Sequence, residues 1–323
     1  MKDERSETRS RPRKSRRETL ICAGEFFFDH IFYGLSELPR LGEELVTDNF
    51  AFDLGGGAFN TAATAARLGR KAELATVLGT SALDDFALKK IKALGIGSSL
   101  VWRASGAMAG LSVAVSLPRD RYFLTAPGAN RKVEQYLLSP AVERTLTTAG
   151  HVHFALSPTT WARFSELVER LKKNGVTTSW DLGWHPEAAR QPGFRRLYDQ
   201  LDVVFLNKME LMRYSGQSNV LKAIRSWASA GHTLVVKLGR AGAMAISGGT
   251  VYRSKGFRVL ALETTGAGDA FNGGFLHTWL ETGDLEMALR AGNACGALST
   301  TEPGGSAGTP TRAELRRFLK EAR

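Results

Sequence analysis

Glu263-Thr264-Thr265-Gly266-Ala267-Gly268-Asp269-Ala270-Phe271 is the stretch that decides how this chain folds. Two glycines flank an alanine, and a carboxylate follows at once. Phe271, Phe275, Trp279 and Leu280 then recur at helical spacing, so the stretch reads as a tight turn opening a helix. Its small residues leave the backbone N–H groups of Gly266, Ala267 and Gly268 uncovered at a helix N-terminus. There the helix dipole joins them to make an anion site. Asp269 sets a proton acceptor beside that hole. Phosphoryl transfer to an alcohol needs these two things: a base for the hydroxyl, and fixed positive potential where phosphate charge develops. The plainer alternative is an ordinary glycine-containing helix cap.

Upstream of this turn, short apolar runs alternate with segments of helical period. Strands are expected over 20–28, 72–77, 152–156, 177–181, 203–206, 233–238 and 243–247. Helices are expected over 58–68, 85–94, 161–174, 220–230, 269–281, 285–298 and 312–322. Gly69, Gly95 and Gly175 stand where helix C-caps belong. Continuous apolar strands separated by helices predict an α/β fold, a doubly wound, mostly parallel sheet covered on both faces. Residues 30–52 and 100–126 break the alternation. In the second of these, strand-like runs over 109–117 and 121–125 flank the turn signal Pro118-Arg119-Asp120. Both segments are expected to form a small second sheet, a lid that covers substrate and excludes water; plain edge hairpins are the alternative.

The chain has 323 residues, 43% of them hydrophobic, enough for a sizeable core. No apolar run reaches the ~18 residues of a membrane span, and no signal-peptide core stands near the start. Cys22 and Cys295 lie far apart in apolar contexts and read as buried free thiols of a reducing, cytoplasmic compartment. The net charge is +11, but residues 1–18 hold eight basic and four acidic side chains, which leaves +7 on residues 19–323. With almost no apolar residue, 1–18 reads as a disordered basic tail. The remaining surplus is scattered and not interleaved with aromatics, so a nucleic-acid surface is not expected. A modest positive field suits a site that handles ATP.

Other candidate site residues lie at expected strand ends. Gly55-Gly56-Gly57-Ala58-Phe59-Asn60 leads into a helix. Its glycines let a ligand approach the backbone, and Asn60 offers both a donor and an acceptor, as a polyhydroxylated ligand requires. Asp29 follows Phe26-Phe27-Phe28 at the expected end of the first strand, where open α/β sheets bind ligands. Asn207 and Glu210, three apart at a helix start, offer oxygens for Mg²⁺ through water, or else a capping pair. Lys237, ahead of Gly239, is placed to meet nucleotide phosphates as a point charge, or else is merely solvated. His151 and His153 share one side of a strand, but no third ligand stands near, so packing is preferred to a metal site.

These pieces together resemble the ribokinase-like (phosphofructokinase B) family of small-molecule kinases over about residues 20–310. Gly55–Asn60 is similar to that family's N-terminal signature, and Thr264–Phe271 to its C-terminal one. Pro127-Gly128-Ala129-Asn130 and the Asn207/Glu210 pair fall where the family has similar stretches. The resemblance implies a Rossmann-like sheet with a β-sheet lid, and ATP-dependent phosphorylation of a hydroxymethyl group with Mg²⁺. It implies Asp269 as the base and Gly266, Ala267 and Gly268 as the anion hole. Asp29, Gly56, Gly57 and Asn60 would hold a sugar, Asn207 and Glu210 would order the metal and its waters, Lys237 and Gly239 would meet the phosphates, and Asn293 would border adenine. It further implies a homodimer through the lid.

The chain departs from the family at two points. Glu263 stands where the family usually has Asp, in a loop that binds a monovalent cation in many members. The extra methylene moves the carboxylate, which leaves the use of such a cation open. Gly57 stands where ribokinase has a lysine, so ribose is not specially indicated. A phosphorylated acceptor would call for basic residues, with Arg103, Arg119 and Arg121 as candidates. The first expectation is a sugar kinase. The alternative is a nucleoside kinase of the same fold, with Phe26, Phe27, Phe28 and Phe32 as a stacking face. A dinucleotide-dependent oxidoreductase fits poorly, because Phe271 occupies the last glycine position of a GxGxxG pattern. A silent sugar sensor is disfavoured by the intact Asp269 and anion hole.

Overall fold

A computed structural model describes residues 18–117, 121–185, 187–228 and 231–322. The basic tail, but for Glu18, and the Pro118-Arg119-Asp120 turn therefore lie outside the described residues. The strands are β1 (Leu20–Gly24), β2 (Phe27–Phe32), β3 (Phe50–Gly55), β4 (Ala72–Leu78), β5 (Val101–Arg103), β6 (Gly110–Ser116), β7 (Arg121–Ala126), β8 (His151–Ala155), β9 (Thr177–Asp181), β10 (Val203–Asn207), β11 (Thr233–Lys237), β12 (Ala243–Ser247) and β13 (Thr250–Ser254). The helices are α1 (Gly57–Arg67), α2 (Ala82–Ala93), α3 (Val133–Leu137), α4 (Pro140–Leu146), α5 (Trp161–Lys173), α6 (Phe194–Gln200), α7 (Lys208–Ser215), α8 (Val220–Trp227), α9 (Ala267–Thr282), α10 (Leu285–Ser299) and α11 (Arg312–Glu321).

Nine strands form a large sheet in the order β13-β12-β11-β10-β9-β8-β1-β4-β5. It is parallel except for the antiparallel pairings of β12 and β13. One core packs α3 to α8 against one face, around Phe154, Phe164 and Trp180. The other packs α1, α2, α9 and α10 against the opposite face, around Phe59, Phe205 and Phe275. From β1 the chain winds one way to β4 and β5, then returns to β8 and winds the other way. The C-terminal ends of β1 and β8 are therefore the switch point where a doubly wound sheet opens a crevice.

The first apolar run does not stay in one sheet. The chain leaves the large sheet after Gly24, and Phe27–Phe32 starts a second sheet of four strands, β3-β2-β6-β7. Asn130 plugs the break: its Oδ1 accepts from Phe26 N at 3.0 Å and its Nδ2 donates to Phe26 O at 2.8 Å. A side chain thus satisfies the two backbone groups that strand pairing would have used. Two expectations are corrected. Asp29 sits on β2 of the small sheet, not at the end of a main-sheet strand. The small sheet draws on 27–32 and 50–55 as well as 110–126, while 101–103 pairs with β4 in the large sheet. Gly69, Gly95 and Gly175 do adopt the left-handed conformation of helix C-caps.

Helices α1 and α9 lie against each other because Gly273 has no side chain. A Cβ there would meet Thr64 Cβ at 2.6 Å and the Thr61 carbonyl at 2.8 Å. Gly273→Val is expected to lower stability by about 1–3 kcal/mol through overpacking, read as a fall in Tm in calorimetry. The loss exceeds any helix-propensity gain, which is at most about 1 kcal/mol.

Candidate active site

The N-termini of α1 and α9 meet at the switch point. Gly56 caps α1 with φ of +97°, and a Cβ there would strike the Glu25 carbonyl at 2.4 Å. Gly266 caps α9 with φ of +72°, and a Cβ there would strike Gly305 Cα at 2.5 Å. At both positions only glycine combines that backbone with that closeness. No side chain caps either helix, so their first N–H groups stay available. The three expected amides of the anion hole differ. Ala267 N turns back to the Thr264 carbonyl at 3.3 Å, whereas among the described residues those of Gly266 and Gly268 donate to no backbone carbonyl.

Asp269 stands in the first turn of α9, partly exposed. Asn60 Nδ2 donates to its Oδ2 at 3.1 Å, and Thr61 Oγ1 donates to its carbonyl at 3.3 Å. Burial pushes the Asp269 carboxyl up to about 6, helped by the charge of Asp181; the Lys237 ammonium and the Asn60 bond pull the other way. Above that pH it is a carboxylate, ready to accept a proton. A Cβ on Gly57 would come within 3.4 Å of Asp269 Oδ1. The bare glycine therefore keeps the space in front of the carboxylate open.

Two polar groups beside Asp269 lack partners. Asn60 Oδ1 is buried and accepts no hydrogen bond. Asp29 is 5% exposed, and among the described residues no donor reaches its carboxylate. That carboxylate lies across Gly55, where a Cβ would fall 1.8 Å from Oδ2. Burial, then the charges of Asp53, Asp269 and Glu263, push Asp29 up to about 7. Asp53, opposite Asp29 on β3, is itself engaged by Lys90 at 2.6 Å and by Ser306.

On the other side of Asp269, Lys237 ends β11 and pairs with Asp181 at 2.5 Å. Asn272, one turn along α9 from Asp269, donates to the same Asp181 oxygen at 2.6 Å. Burial favours neutral lysine, but the carboxylates of Asp181, Glu210 and Asp269 outweigh it and the net shift is upward. Asp181 shifts downward: burial opposes ionisation, and Lys237 and Asn272 overcome it. Lys237 is thus not a solvated strand-end lysine. Its ammonium is held 3.2 Å from where a Gly268 Cβ would stand, beside the anion hole.

The remaining candidates are more scattered. Asn207 and Glu210 form a reciprocal capping box on α7, with Asn207 Oδ1 accepting from Glu210 N and Glu210 Oε2 accepting from Asn207 N. Burial and the Asp181 charge push Glu210 up to about 7. Its Oε1 accepts nothing among the described residues, and no cluster of three or more His, Cys, Asp or Glu forms a direct cage there. That donor set fits Mg²⁺ held through its waters, because Mg²⁺ keeps several waters and binds mainly to phosphates. Gly239 follows β11 with φ of +58° and open space around it. Asn293 is buried on α10, and its Nδ2 donates to the carbonyls of Ser254 and Lys255, which ties α10 to the end of β13. His151 and His153 are buried and kept neutral, mainly by burial, with Ser179 Oγ between their rings at 2.7 and 2.8 Å.

Sequence patterns overlooked Asp181, Asn272 and Thr61. Asp181 offered the signal used for Asp29, a carboxylate closing a strand. Asn272 stands three residues after Asp269 and so on the same helix face. Thr61 gave no signal of its own.

With this geometry in view, residues 17–312 match the pfkB family carbohydrate kinase profile. The chain belongs to that family, whose members are phosphotransferases with an alcohol acceptor. It is 27% identical to a ribokinase of Haemophilus influenzae over 95% of this chain and all of that one. It is 32% identical to an ATP-dependent ribose-1-phosphate kinase of Halopiger xanaduensis over 94% of this chain and 98% of that one. The fold matches an Arabidopsis thaliana ribokinase, solved with ribose and ATP, at a TM-score of 0.79 and 22% identity, over 94% of this chain and 99% of that one.

With Asp269 as the expected base, activity is tied to pH. The value of kcat/KM is expected to fall as pH drops through about 6, where Asp269 takes up its proton. The Asn60 bond favours the charged form, so Asn60→Ala should move this acid limb to higher pH. Initial rates across about pH 4–8, about two units either side of the limb, measure both.

Proposed function

We propose that the protein is an ATP-dependent kinase that phosphorylates a hydroxymethyl group of a small neutral carbohydrate. The observation that carries this reading is the unmet buried acceptor beside Asp269, Asn60 Oδ1, with the Asp29 carboxyl, which meets no protein donor among the described residues, in the same crevice. A buried acceptor without a donor is costly, and a polyol supplies the missing O–H groups. Gly56 and Gly57 let the sugar close on the backbone. Asp269 takes the proton of the attacking hydroxyl as its oxygen bonds to the γ-phosphorus and ADP departs. The amides of Gly266 and Gly268, with Lys237, meet the charge that grows on the transferred group. Mg²⁺, when bound through waters at Glu210 and Asn207, supplies further neutralisation of the phosphates. Asn293 serves the nucleotide side by fixing the loop after β13, and Gly239 by the turn after Lys237.

Neutral acceptors are preferred over phosphorylated ones because Asp29, Glu263 and Asp269 surround the site. Of the three arginines considered, Arg103 is bound to Asp85 at 2.6 Å on the sheet edge and Arg119 lies outside the described residues; only Arg121 is placed towards Asp269. Of the stacking face expected for a nucleoside, Phe26 and Phe28 are core residues at 0% and 1% exposure, and only Phe27 and Phe32 remain half-buried. Both Glu263 oxygens accept hydrogen bonds from protein groups, which supports a turn that works without a monovalent cation. Buried free thiols at Cys22 and Cys295 support a reducing, cytoplasmic setting, and no helix among the described residues is long and apolar enough to cross a membrane.

Asp269→Asn is expected to cut phosphate transfer by about 10²–10⁴ while sugar binding stays nearly intact. A coupled ADP assay against pentoses, hexoses, sugar phosphates and nucleosides tests the acceptor class. Preferred turnover of a nucleoside or a sugar phosphate would overturn it.

Pairing of two chains through the small sheet is supported by its exposed Phe50, Tyr122, Phe123 and Leu124. Sedimentation should give a dimer that Leu124→Glu converts to monomer.

A further inference from the structure

Beyond the proposed bond-making groups, the facing ends of β6 and β7 touch the turn ahead of α9 twice. Ser116 ends β6 and Arg121 begins β7, and the two are directly opposed across the pair. Ser116 Oγ donates to Glu263 Oε1 at 3.2 Å. Arg121 Nη1 donates to Thr264 Oγ1 at 2.5 Å. One cross-strand pair therefore grips two consecutive residues of the other motif, more than 140 positions further along the chain.

Glu263 is the joint between them. It is 3% exposed. Its Oε1 also accepts from Thr265 N at 2.8 Å and from Thr265 Oγ1 at 2.8 Å, and its Oε2 lies 2.9 Å from the same N–H. Thr265 directly precedes Gly266, whose left-handed backbone starts the anion hole. Thr264 accepts the Ala267 N–H through its carbonyl. Both prongs thus act on residues that shape the turn, and the Arg121 charge is also felt by Asp269. The one carboxylate thus spans Thr265 and Ser116, with a side chain one methylene longer than aspartate's.

We propose that Ser116 and Arg121 form a two-pronged latch on Glu263 and Thr264 that couples the position of the small sheet to the shape of the phosphate-transfer turn. Ser116 and Glu263 are then positioning residues. When the hairpin lifts to admit an acceptor, Glu263 loses its outer partner and Thr264 its guanidinium. When the hairpin returns, the turn is drawn back into register with Asp269. The catalytic part of this proposal rests on the carbohydrate-kinase reading; the mechanical part does not.

Hydrogen–deuterium exchange on the ligand-free full chain tests the mechanical part without turnover. Ser116→Ala should speed amide exchange in both 110–126 and 262–268, and Ser116→Thr, which keeps the hydroxyl, should restore it. Faster exchange confined to the hairpin, or unchanged exchange in both segments, overturns the latch. In turnover, Ser116→Ala and Glu263→Asp should each raise the ratio of acceptor-free ATP hydrolysis to phosphate transfer by about 10-fold, the effect of losing one charge-assisted hydrogen bond. A lower folded fraction would reduce both rates and leave that ratio alone, so an unchanged ratio also counts against the latch. A wild-type chain that phosphorylates no carbohydrate removes the kinase reading but leaves the exchange result to decide the latch.

Discussion

The site depends on the side-by-side packing of α1 and α9. Each helix begins at a glycine whose backbone is left-handed or nearly so, and each brings uncapped N–H groups to the same crevice. Gly273 lets the two axes approach until Asn60 reaches Asp269, across 209 residues of chain. Were these helices a single methyl group further apart, Asp269 would lose a hydrogen bond that, after the Lys237 ammonium, favours its charged form. The α1 and α9 termini would then no longer converge on one ligand. Core packing on one face of the sheet thereby sets the chemistry at its edge.

Asp269 stands on a boundary between two electrostatic regions. On the acceptor side lie Asp29 and Glu263, with Asp53 next to them but already matched by Lys90. On the phosphate side lie the amides of Gly266 and Gly268, and the Lys237 ammonium held by Asp181 and Asn272. Carboxyl groups on one side suit hydroxyl ligands, and N–H groups with an ammonium on the other suit anions. Burial raises Asp269 and Asp29 towards neutrality, while the Asp181–Lys237 pair stays ionised because its members face each other. Carboxyl groups within one crevice thus differ in state according to which partner each meets.

Much of the arrangement was legible along the chain. Gly266-Ala267-Gly268-Asp269 identified itself by composition and by the helical period after it, because a turn and a helix start are local events. The capping glycines and the alternation of apolar runs with helices were readable for the same reason. The break after Gly24 was not. Whether Phe26-Phe27-Phe28 continues a strand or leaves for a second sheet is decided by Asn130, over a hundred positions away. Lys237 was readable as a charge for phosphates, but its partner was not: Asp181 comes to it from β9, two strands across the sheet.

Local physics in the sequence determined most of the elements, the glycine turn that opens α9 and the place of Asp269 in its first turn. It also marked the turns that call for a positive φ, such as the capping glycines at 69, 95 and 175, since backbone conformation is a local property. The tertiary structure alone decided which partner each charged or polar group would meet: Asn60 for Asp269, Asp181 for Lys237, Ser116 for Glu263. Such pairings are made by elements far apart in the chain, and burial, which gives them their strength, exists only once those elements have packed.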